Sequence, residues 1–334
     1  EIQAITQVLE ANSLRTHFSA GEERTLLGVL GDISRVDKEN IEVMPGVERI
    51  IPISAPYKLA SKTFKAEPDV FDLGKGILLG GGHFVNMAGP CSIESYDQLY
   101  ETAREVRASG ARILRGGAYK PRTSPYAFQG TGMEGLHWMR EIADELNMLV
   151  VSEVMSEMDI EGMLPYVDIF QIGTRNAQNF RLLKAVGQAG KPVMLKRGMA
   201  ETIEEWLSST EYILSEGNYK VILCERGIRT FETAYRSTLD IGAIPVLREK
   251  THLPVIVDPS HAAGNWRLVP ALALASAAAG ADGLIIEVHP NPKTAMSDAA
   301  QQLTFEQYAQ LSSQVRSICR TVGMQVEEPQ DTED

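Results

Sequence analysis

Six basic side chains occur at, or just after, the ends of short apolar runs that have the composition of strands. They are Arg115, Lys120, Arg122, Arg175, Lys196 and Arg226. The guanidinium fork of arginine binds phosphate or carboxylate in a bidentate manner, and lysine adds a compact charge. One basic residue in a loop is most simply a solvated one. Six of them in an acidic chain predict a phosphorylated substrate with several negative charges.

A second group combines a thiol, an imidazole and two carboxylates: Cys91, His261, Glu287 and Asp298. A divalent metal accepts such a mixed ligand set, and an unfilled position would admit substrate or water. Taken singly, Cys91 could be a small buried apolar residue, and His261 could hydrogen-bond a loop carbonyl. His289 is a competing imidazole, which we interpret as a structural residue near the site.

Two further side chains could take part in chemistry. Glu153 ends another strand-like run, where its carboxylate could orient a water molecule or form a salt bridge with an arginine. Lys196 ends a run among other cations, a setting in which a lysine amine can attack a carbonyl as a Schiff-base aldolase does. That alternative leaves the thiol, imidazole and carboxylate group unexplained.

Eight short apolar runs alternate with helical patterns through most of the chain. They are continuous and rich in Val, Ile and Leu, at residues 84–88, 111–115, 148–153, 167–172, 192–196, 220–224, 254–257 and 283–287. Such runs are typical of strands buried on both faces. Eight units of similar length favour a closed (β/α)8 TIM barrel over a doubly wound open sheet. In that barrel, the carboxyl ends of the strands build the active site, so both groups of residues would meet at one mouth.

The first 66 residues follow a different order. They predict a helix at 2–11, strands at 14–18 and 25–30, a helix at 38–44 and a strand at 47–53. This order is that of a ferredoxin-like βαββαβ unit without its first strand. We therefore expect an α+β ferredoxin-like domain over residues 1–66 and a barrel over 67–325. An acidic tail at 326–334 is expected to be solvated.

Composition excludes several classes of protein. The net charge of −12 argues against a nucleic-acid partner, which would need a basic surface. No run of 18 or more apolar residues is available to cross a membrane, and the first residues do not resemble a signal peptide. Three cysteines cannot pair completely, which suggests a reducing compartment. We expect a cytoplasmic protein.

Five segments of the chain resemble 3-deoxy-D-arabino-heptulosonate-7-phosphate (DAHP) synthase of the type I beta subfamily. They are Gly-Pro-Cys-Ser at 89–92, Arg-Gly-Gly-Ala-Tyr-Lys-Pro-Arg-Thr-Ser at 115–124, Gly-Thr-Arg-Asn at 173–176, Leu-Lys-Arg-Gly at 195–198 and Asp-Pro-Ser-His at 258–261. The first domain resembles the ACT-like regulatory module of some members. The related 3-deoxy-D-manno-octulosonate-8-phosphate synthase typically has Lys-Ala-Asn-Arg-Ser where this chain has Lys-Pro-Arg-Thr-Ser.

The resemblance implies that phosphoenolpyruvate, erythrose 4-phosphate and water give DAHP and phosphate, the first step of the shikimate pathway to chorismate and aromatic amino acids. It implies one divalent metal ion (Mn, Fe, Co, Zn or Cd) on Cys91, His261, Glu287 and Asp298. Phosphoenolpyruvate would bind Arg115 and Lys120 through its carboxylate, and Arg175, Lys196 and Arg226 through its phosphate. The phosphate of erythrose 4-phosphate would bind Arg122 and Thr123. Lys120, Cys91 and His261 are the expected catalytic residues, with Lys120 a proton donor to the new alkoxide.

The resemblance also implies a homo-oligomer, a tetramer, that is feedback-inhibited by tyrosine or phenylalanine bound between first domains. His17 and Ser19 are the effector contacts we expect. The first domain could instead serve oligomerisation or stability. Three alternatives remain for the whole chain: the octulosonate enzyme, which uses arabinose 5-phosphate, a Schiff-base aldolase using Lys196, and an amino-acid sensor with an inactive barrel.

Overall fold

The chain begins with a small helix-and-hairpin unit. The computed structural model describes residues 1–20, 25–31, 36–51, 57–120, 126 and 128–328, without the side chains of residues 19 and 20. The unit contains α1 (Ile2–Ala11), the antiparallel pair β1 (Arg15–Ala20) and β2 (Thr25–Leu30), and α2 (Lys38–Glu42). Its buried side chains form a small core of their own: Ile5, Leu9, Leu14 and Ile41. The four-residue spacing of the first two places both on one face of α1.

The strand predicted at 47–53 does not form over its described part. Residues 47–51 pair with no described strand, and residues 52 and 53 lie outside the described part of the chain. A strand exists only through ladder hydrogen bonds to a neighbour, so the apolar pattern alone was an insufficient signal. The prediction of a strand at 47–51 was therefore wrong.

The eight strands predicted for the barrel all form. A short hairpin, β3 (Phe71–Asp72) and β4 (Leu78–Leu79), precedes them. The barrel strands are β5 (His83–Gly89), β6 (Ile113–Arg115), β7 (Leu149–Glu153), β8 (Ile169–Ile172), β9 (Val193–Lys196), β10 (Val221–Glu225), β11 (Val255–Val257) and β12 (Gly283–Glu287). Each strand pairs in parallel with the next, and β12 pairs with β5, which closes the barrel. The predicted (β/α)8 barrel is confirmed.

Helices cover the outside of the barrel: α3 (Tyr96–Ala108), α4 (Met133–Glu145), α5 (Ile160–Met163), α6 (Phe180–Gln188), α7 (Ile203–Leu214), α8 (Ala243–Lys250), α9 (Pro259–Ala263), α10 (Val269–Ala278) and α11 (Phe305–Thr321). Two of them begin with a capping box, formed by Thr202 with Glu205 and by Thr304 with Gln307. These pairs satisfy backbone N–H groups that the first helical turn leaves free. Among the described helices, none is long and apolar enough to span a bilayer.

The end of the chain returns to the barrel. A last strand, β13 (Gln325–Val326), pairs with the beginning of β5. Glu327 and Glu328 then form ion pairs with Arg112 and Arg320. Glu327 and Glu328 are nevertheless exposed. A solvated tail over residues 326–334 stays a prediction, and residues 329–334 lie outside the described part.

The segment that follows the first unit is part of the barrel's packing. Leu59 and Phe64 are buried in the same hydrophobic cluster as the barrel strands. The Glu211 carboxylate on α7 accepts hydrogen bonds from the backbone N–H groups of Leu59 and Ala60, at 2.8 and 3.1 Å. His252 joins the Leu59 carbonyl to the Asp69 carboxylate. A domain boundary at residue 66 stays a prediction.

Candidate active site

The carboxyl ends of the barrel strands open into a cleft of about 520 Å³. Among the described residues, seven cationic side chains line it: Arg115, Lys120, Arg175, Lys196, Arg226, Arg229 and Arg236. Five of these are members of the predicted basic group. The sixth member, Arg122, and its neighbour Thr123 lie outside the described residues. The cleft is therefore suited to small anions, as the basic residues at the strand ends predicted.

Three of the four predicted metal ligands come together beside this cleft. Cys91, Glu287 and Asp298 each offer one ligand atom, and these atoms all lie within 4.8 Å of one another. His261 stands beside this group, with its Nε2 3.6 Å from Glu287 Oε1. Barrel closure explains the meeting, because it places Glu287 opposite Gly89, just before Cys91 in the chain.

Gly89 allows this close approach. A Cβ atom at this position would lie 2.0 Å from the Arg115 carbonyl oxygen. Real side chains do not approach a backbone atom so closely, so β5 and β6 could not pack as they do with any other residue here. The glycine of the Gly-Pro-Cys-Ser segment thus keeps Cys91 and Arg115 near the same carboxylate.

Glu287 is a fully buried carboxylate with a cationic partner. Arg115 Nη1 donates to Glu287 Oε1 at 2.9 Å and to the Pro90 carbonyl at 2.8 Å. Burial alone would raise the pKa of Glu287, but His261 and Arg115 lower that pKa to about 2. The carboxylate is therefore ionised at neutral pH, as a metal ligand must be. The same contact neutralises part of the charge of Arg115.

Asp258 holds two cleft side chains in place. Its Oδ2 accepts from His261 Nδ1 at 2.7 Å and from Lys196 Nζ at 2.5 Å, while its Oδ1 caps α9 through the His261 backbone N–H. Because an ionised carboxylate only accepts, His261 carries a proton on Nδ1. Burial lowers the pKa of His261 despite the opposing charge of Asp258, which leaves Nε2 with a free lone pair. This is the tautomer that ligates metals.

The donor set fits a divalent metal ion. His261 Nε2 and Glu287 Oε1 face each other as two acceptors, with the Cys91 sulfur and the Asp298 carboxylate beside them. Acceptors that converge in this way are stabilised by a cation between them. Burial, with the charge of Glu287, raises the pKa of the Cys91 thiol to about 11. A metal ion would have to displace that proton, because the thiolate is the ligand.

Lys120 lies directly against this group. Its Nζ is 3.1 Å from Cys91 Sγ and 2.5 Å from the Cys91 carbonyl oxygen. The ammonium also lines the cleft, so it lies between Cys91 and the space open to a substrate. The position suits a proton donor to a developing negative charge.

Arg226 is a buried cation whose hydrogen-bond acceptors are neutral. Nη1 donates to the Gly227 carbonyl at 3.2 Å and to Ser237 Oγ at 3.1 Å, and Nη2 donates to the His261 carbonyl at 3.5 Å. Burial lowers the pKa of this guanidinium. A buried charge whose hydrogen-bond acceptors are neutral is stabilised by an anion, so the part of the cleft beside Arg226 is suited to one.

Several site residues escaped sequence reasoning. Arg229 and Arg236 line the cleft from the segment between β10 and α8, beyond the strand end that was used as the guide. The role of Asp258 is not evident from the Asp-Pro-Ser-His segment alone, although an acidic residue three positions before a histidine at a helix start is a usable signal. Two other candidates have polar partners: Glu153 accepts from Gln171 Nε2 at 3.3 Å, and His289 Nε2 lies 3.4 Å from Glu94 Oε2.

His17 lies between the first unit and the barrel. The centroid of its ring is 3.8 Å from that of Tyr219 and 5.1 Å from that of Phe64. Burial lowers the pKa of this imidazole. Ser19 belongs to β1, and its side chain lies outside the described part. An effector contact at these two residues stays a prediction.

Comparisons with known proteins agree with these features. Residues 59–321 match the DAHP synthetase I family, and residues 1–55 match the DAHP synthase ferredoxin-like domain. The phospho-2-dehydro-3-deoxyheptonate aldolase of Thermotoga maritima is 48% identical over 326 residues, covering 98% of this chain and 96% of that protein. Its crystal structure, described as a DAHP synthase, aligns with a TM-score of 0.81 over 98% of this chain and 95% of that one. A 2-dehydro-3-deoxyphosphooctonate aldolase of Acidithiobacillus ferrooxidans is 32% identical over 64% of this chain and 82% of that protein.

Proposed function

Because the chain belongs to the DAHP synthetase I family and catalyses the DAHP synthase reaction, we propose that its cleft joins phosphoenolpyruvate to erythrose 4-phosphate with one divalent metal ion. The observation that carries the proposal is the meeting of two groups at one barrel mouth. Seven cationic side chains of the described part of the chain line the cleft, and the ligand atoms of Cys91, Glu287 and Asp298 lie within 4.8 Å of one another beside it.

Phosphoenolpyruvate binds with its phosphate at Arg226, Arg175 and Lys196 and its carboxylate near Arg115 and Lys120. Arg226 supports this orientation, because its described hydrogen-bond acceptors are neutral and its buried charge forms no direct ion pair with a described carboxylate. Arg115 is already paired with Glu287, so it is better suited to the singly charged carboxylate. Arg122 and Thr123 hold the phosphate of erythrose 4-phosphate in this proposal. For these two residues, the assignment rests on the family resemblance.

Cys91, His261, Glu287 and Asp298 hold the metal ion, which when bound supplies a Lewis acid for the aldehyde carbonyl. The C3 carbon of phosphoenolpyruvate attacks that carbonyl, and Lys120 donates a proton to the new alkoxide. Glu153, at the cleft wall, orients the water that adds to C2. One proton of this water replaces the one that Lys120 gave up. The other goes with the phosphate when the C2–O bond breaks, which leaves the keto group of the product. Arg226 and Lys196 then stabilise the charge on the departing phosphate.

One pair of assays tests substrate and metal together. Purified protein is offered phosphoenolpyruvate with either erythrose 4-phosphate or arabinose 5-phosphate, before and after removal of metal with EDTA. We expect turnover with erythrose 4-phosphate and none with arabinose 5-phosphate. This turnover should be lost when the metal is removed and should recover when Mn²⁺, Fe²⁺, Co²⁺, Zn²⁺ or Cd²⁺ is added. Full activity in metal-free protein would contradict the requirement for a metal ion. A preference for arabinose 5-phosphate would contradict the assignment of erythrose 4-phosphate as the substrate.

Borohydride trapping separates this proposal from a Schiff-base aldolase. Lys196 Nζ is buried and donates to Asp258 Oδ2 at 2.5 Å, and this contact would have to break before the nitrogen could attack a carbonyl. We therefore expect no covalent adduct when borohydride is added with substrates. A trapped adduct on Lys196 would support the aldolase.

We also propose that the first unit makes a homotetramer sensitive to tyrosine or phenylalanine. His17 supports this regulation, because its ring contacts Tyr219 of the barrel and can report a change in the unit to the catalytic part. Inhibition by each amino acid is measured for the full chain and for a chain without residues 1–55, alongside mass determination by light scattering. Equal inhibition of both chains contradicts the regulatory role.

A further inference from the structure

Gln301 connects two of the carboxylates proposed to hold the metal. It ends the short 3-10 turn Ala299–Gln301 and is 2% exposed. Its Nε2 donates to Glu287 Oε2 at 2.7 Å and lies 3.4 Å from Asp298 Oδ2. Glu287 ends β12, whereas Asp298 lies in the loop beyond it. One buried amide therefore bridges carboxylates from two separate segments.

Arg236 determines which way this amide faces. Its Nη1 donates to Gln301 Oε1 at 2.8 Å and lies 3.4 Å from Asp298 Oδ2. A guanidinium only donates, so the oxygen of the amide must face Arg236 and the NH2 group must face the carboxylates. The two NH2 protons match the two acceptors and reduce the repulsion between the carboxylates before a metal binds.

The backbone of Asp298 is held by the same turn. Asp298 adopts φ 43° and ψ 39°, a left-handed conformation that is rare for residues with a side chain. The Gln301 backbone N–H donates to the Asp298 carbonyl at 3.2 Å. Strain of this kind persists where the surroundings hold it and is concentrated at functional sites. Next to it, Gln302 accepts from the Cys91 backbone N–H at 3.1 Å.

We propose that Gln301 is a positioning residue that sets the separation and orientation of Glu287 and Asp298 for the metal ion, with Arg236 fixing the amide. This inference rests on the proposed metal site and adds to it an outer hydrogen-bonding partner. Such partners fix ligand orientation, and their loss typically weakens metal binding by about 10- to 100-fold.

The test measures Co²⁺ binding to the metal-free full-length chain by calorimetry and by the visible absorption of the bound ion. Gln301→Leu and Gln301→Met each remove both the donors and the acceptor. We expect the Kd for Co²⁺ to rise about 10- to 100-fold in both, with a changed ligand-field spectrum. Gln310→Leu and Gln310→Met, on the exposed face of α11, are the matched controls and should bind as the original chain does.

Each outcome has a separate meaning. If the original chain binds no Co²⁺, the proposed metal site fails. If it binds one ion and both Gln301 variants bind it within twofold, the metal site stands and the role of Gln301 is refuted. If the Gln301 variants do not fold, Arg236→Met decides, because it leaves the amide in place but frees its orientation. We expect Arg236→Met to weaken Co²⁺ binding and alter the spectrum, and unchanged values would overturn the proposal.

Discussion

Gly173 is a position where one added methyl group would disturb a single cleft side chain. A Cβ atom there would lie 2.0 Å from Glu153 Oε1 and 2.7 Å from Glu153 Cδ. The backbone of Gly173, with φ −70° and ψ 157°, is open to any residue, so alanine adds no backbone strain. Gly173→Ala therefore keeps every functional group of the cleft and moves only the Glu153 carboxylate.

The size of the movement predicts the size of the effect. An ordinary contact between these atoms needs at least 3.4 Å, so the carboxylate must shift by more than about 1 Å. A misplacement of about 1 Å can lower the rate of a positioned reaction by about 100-fold. Stability should change little, because Gly→Ala at an unstrained position contributes about 0.4–1 kcal/mol through the unfolded state. That gain offsets the cost of moving one flexible side chain.

Steady-state kinetics and urea unfolding test this reasoning. We expect Gly173→Ala and Glu153→Gln each to lower kcat by about 100-fold, with the KM for phosphoenolpyruvate changed much less. Gly162→Ala, whose added Cβ would meet only Met133 Sδ at 3.8 Å, is the matched control. Full activity of both variants would refute a role for Glu153 in the reaction. Full activity of Gly173→Ala alone would show that the carboxylate reaches its working position from elsewhere.

Three further predictions concern buried ionisable groups. Asp258→Asn keeps a cap on α9 but leaves the Lys196 ammonium buried without its carboxylate partner. The free energy of unfolding in urea should therefore fall by about 3–5 kcal/mol. A loss below about 1 kcal/mol would contradict this expectation. Burial raises the pKa of Glu211 above its ordinary value of 4.5, so the stability that this group contributes is complete below pH 4.5 and is lost as the pH rises through the raised value. The free energy of unfolding relative to Glu211→Gln should therefore decline from acidic to neutral pH, and a difference independent of pH would refute the assignment. Burial also raises the pKa values of Cys91 and Cys319 to about 11, so the metal-free folded chain should show no thiolate absorbance at neutral pH, whereas rapid alkylation there would count against it.

The barrel could be predicted from the sequence because its strands are buried on both faces. Such strands are apolar along most of their length, and a nearly continuous apolar run is visible without knowledge of its partners. The run at 283–287 coincides with β12. The run at 47–51 has a similar composition but no described neighbour to pair with. Local pattern thus predicts a strand well only where the rest of the fold supplies an edge for it.

Site residues could be predicted from the sequence only where they lie at or just after the end of a barrel strand. Arg115 and Glu287 are the last residues of β6 and β12, so their convergence follows from barrel closure. Arg236 and Gln301 come from irregular segments whose path has no periodic signature. Their roles depend on the direction of individual hydrogen bonds, such as the one from Arg236 to Gln301 Oε1. Only three-dimensional placement shows this.

Ion pairs within the cleft reduce the positive charge that it offers to a substrate, in a chain whose net charge is −12. Arg115 and Lys196 already contact Glu287 and Asp258, so counting cations at strand ends overstates the charge available to a substrate. Arg226 donates only to neutral acceptors among the described residues, although Asp258 and Glu225 act on its charge from a longer distance. At physiological salt, charges more than about 8 Å away are largely screened, so the acidic surface hardly opposes a bound phosphate. Affinity for phosphorylated substrates is therefore decided by the few unneutralised cations that touch them, and Arg226 should contribute more to it than Arg115.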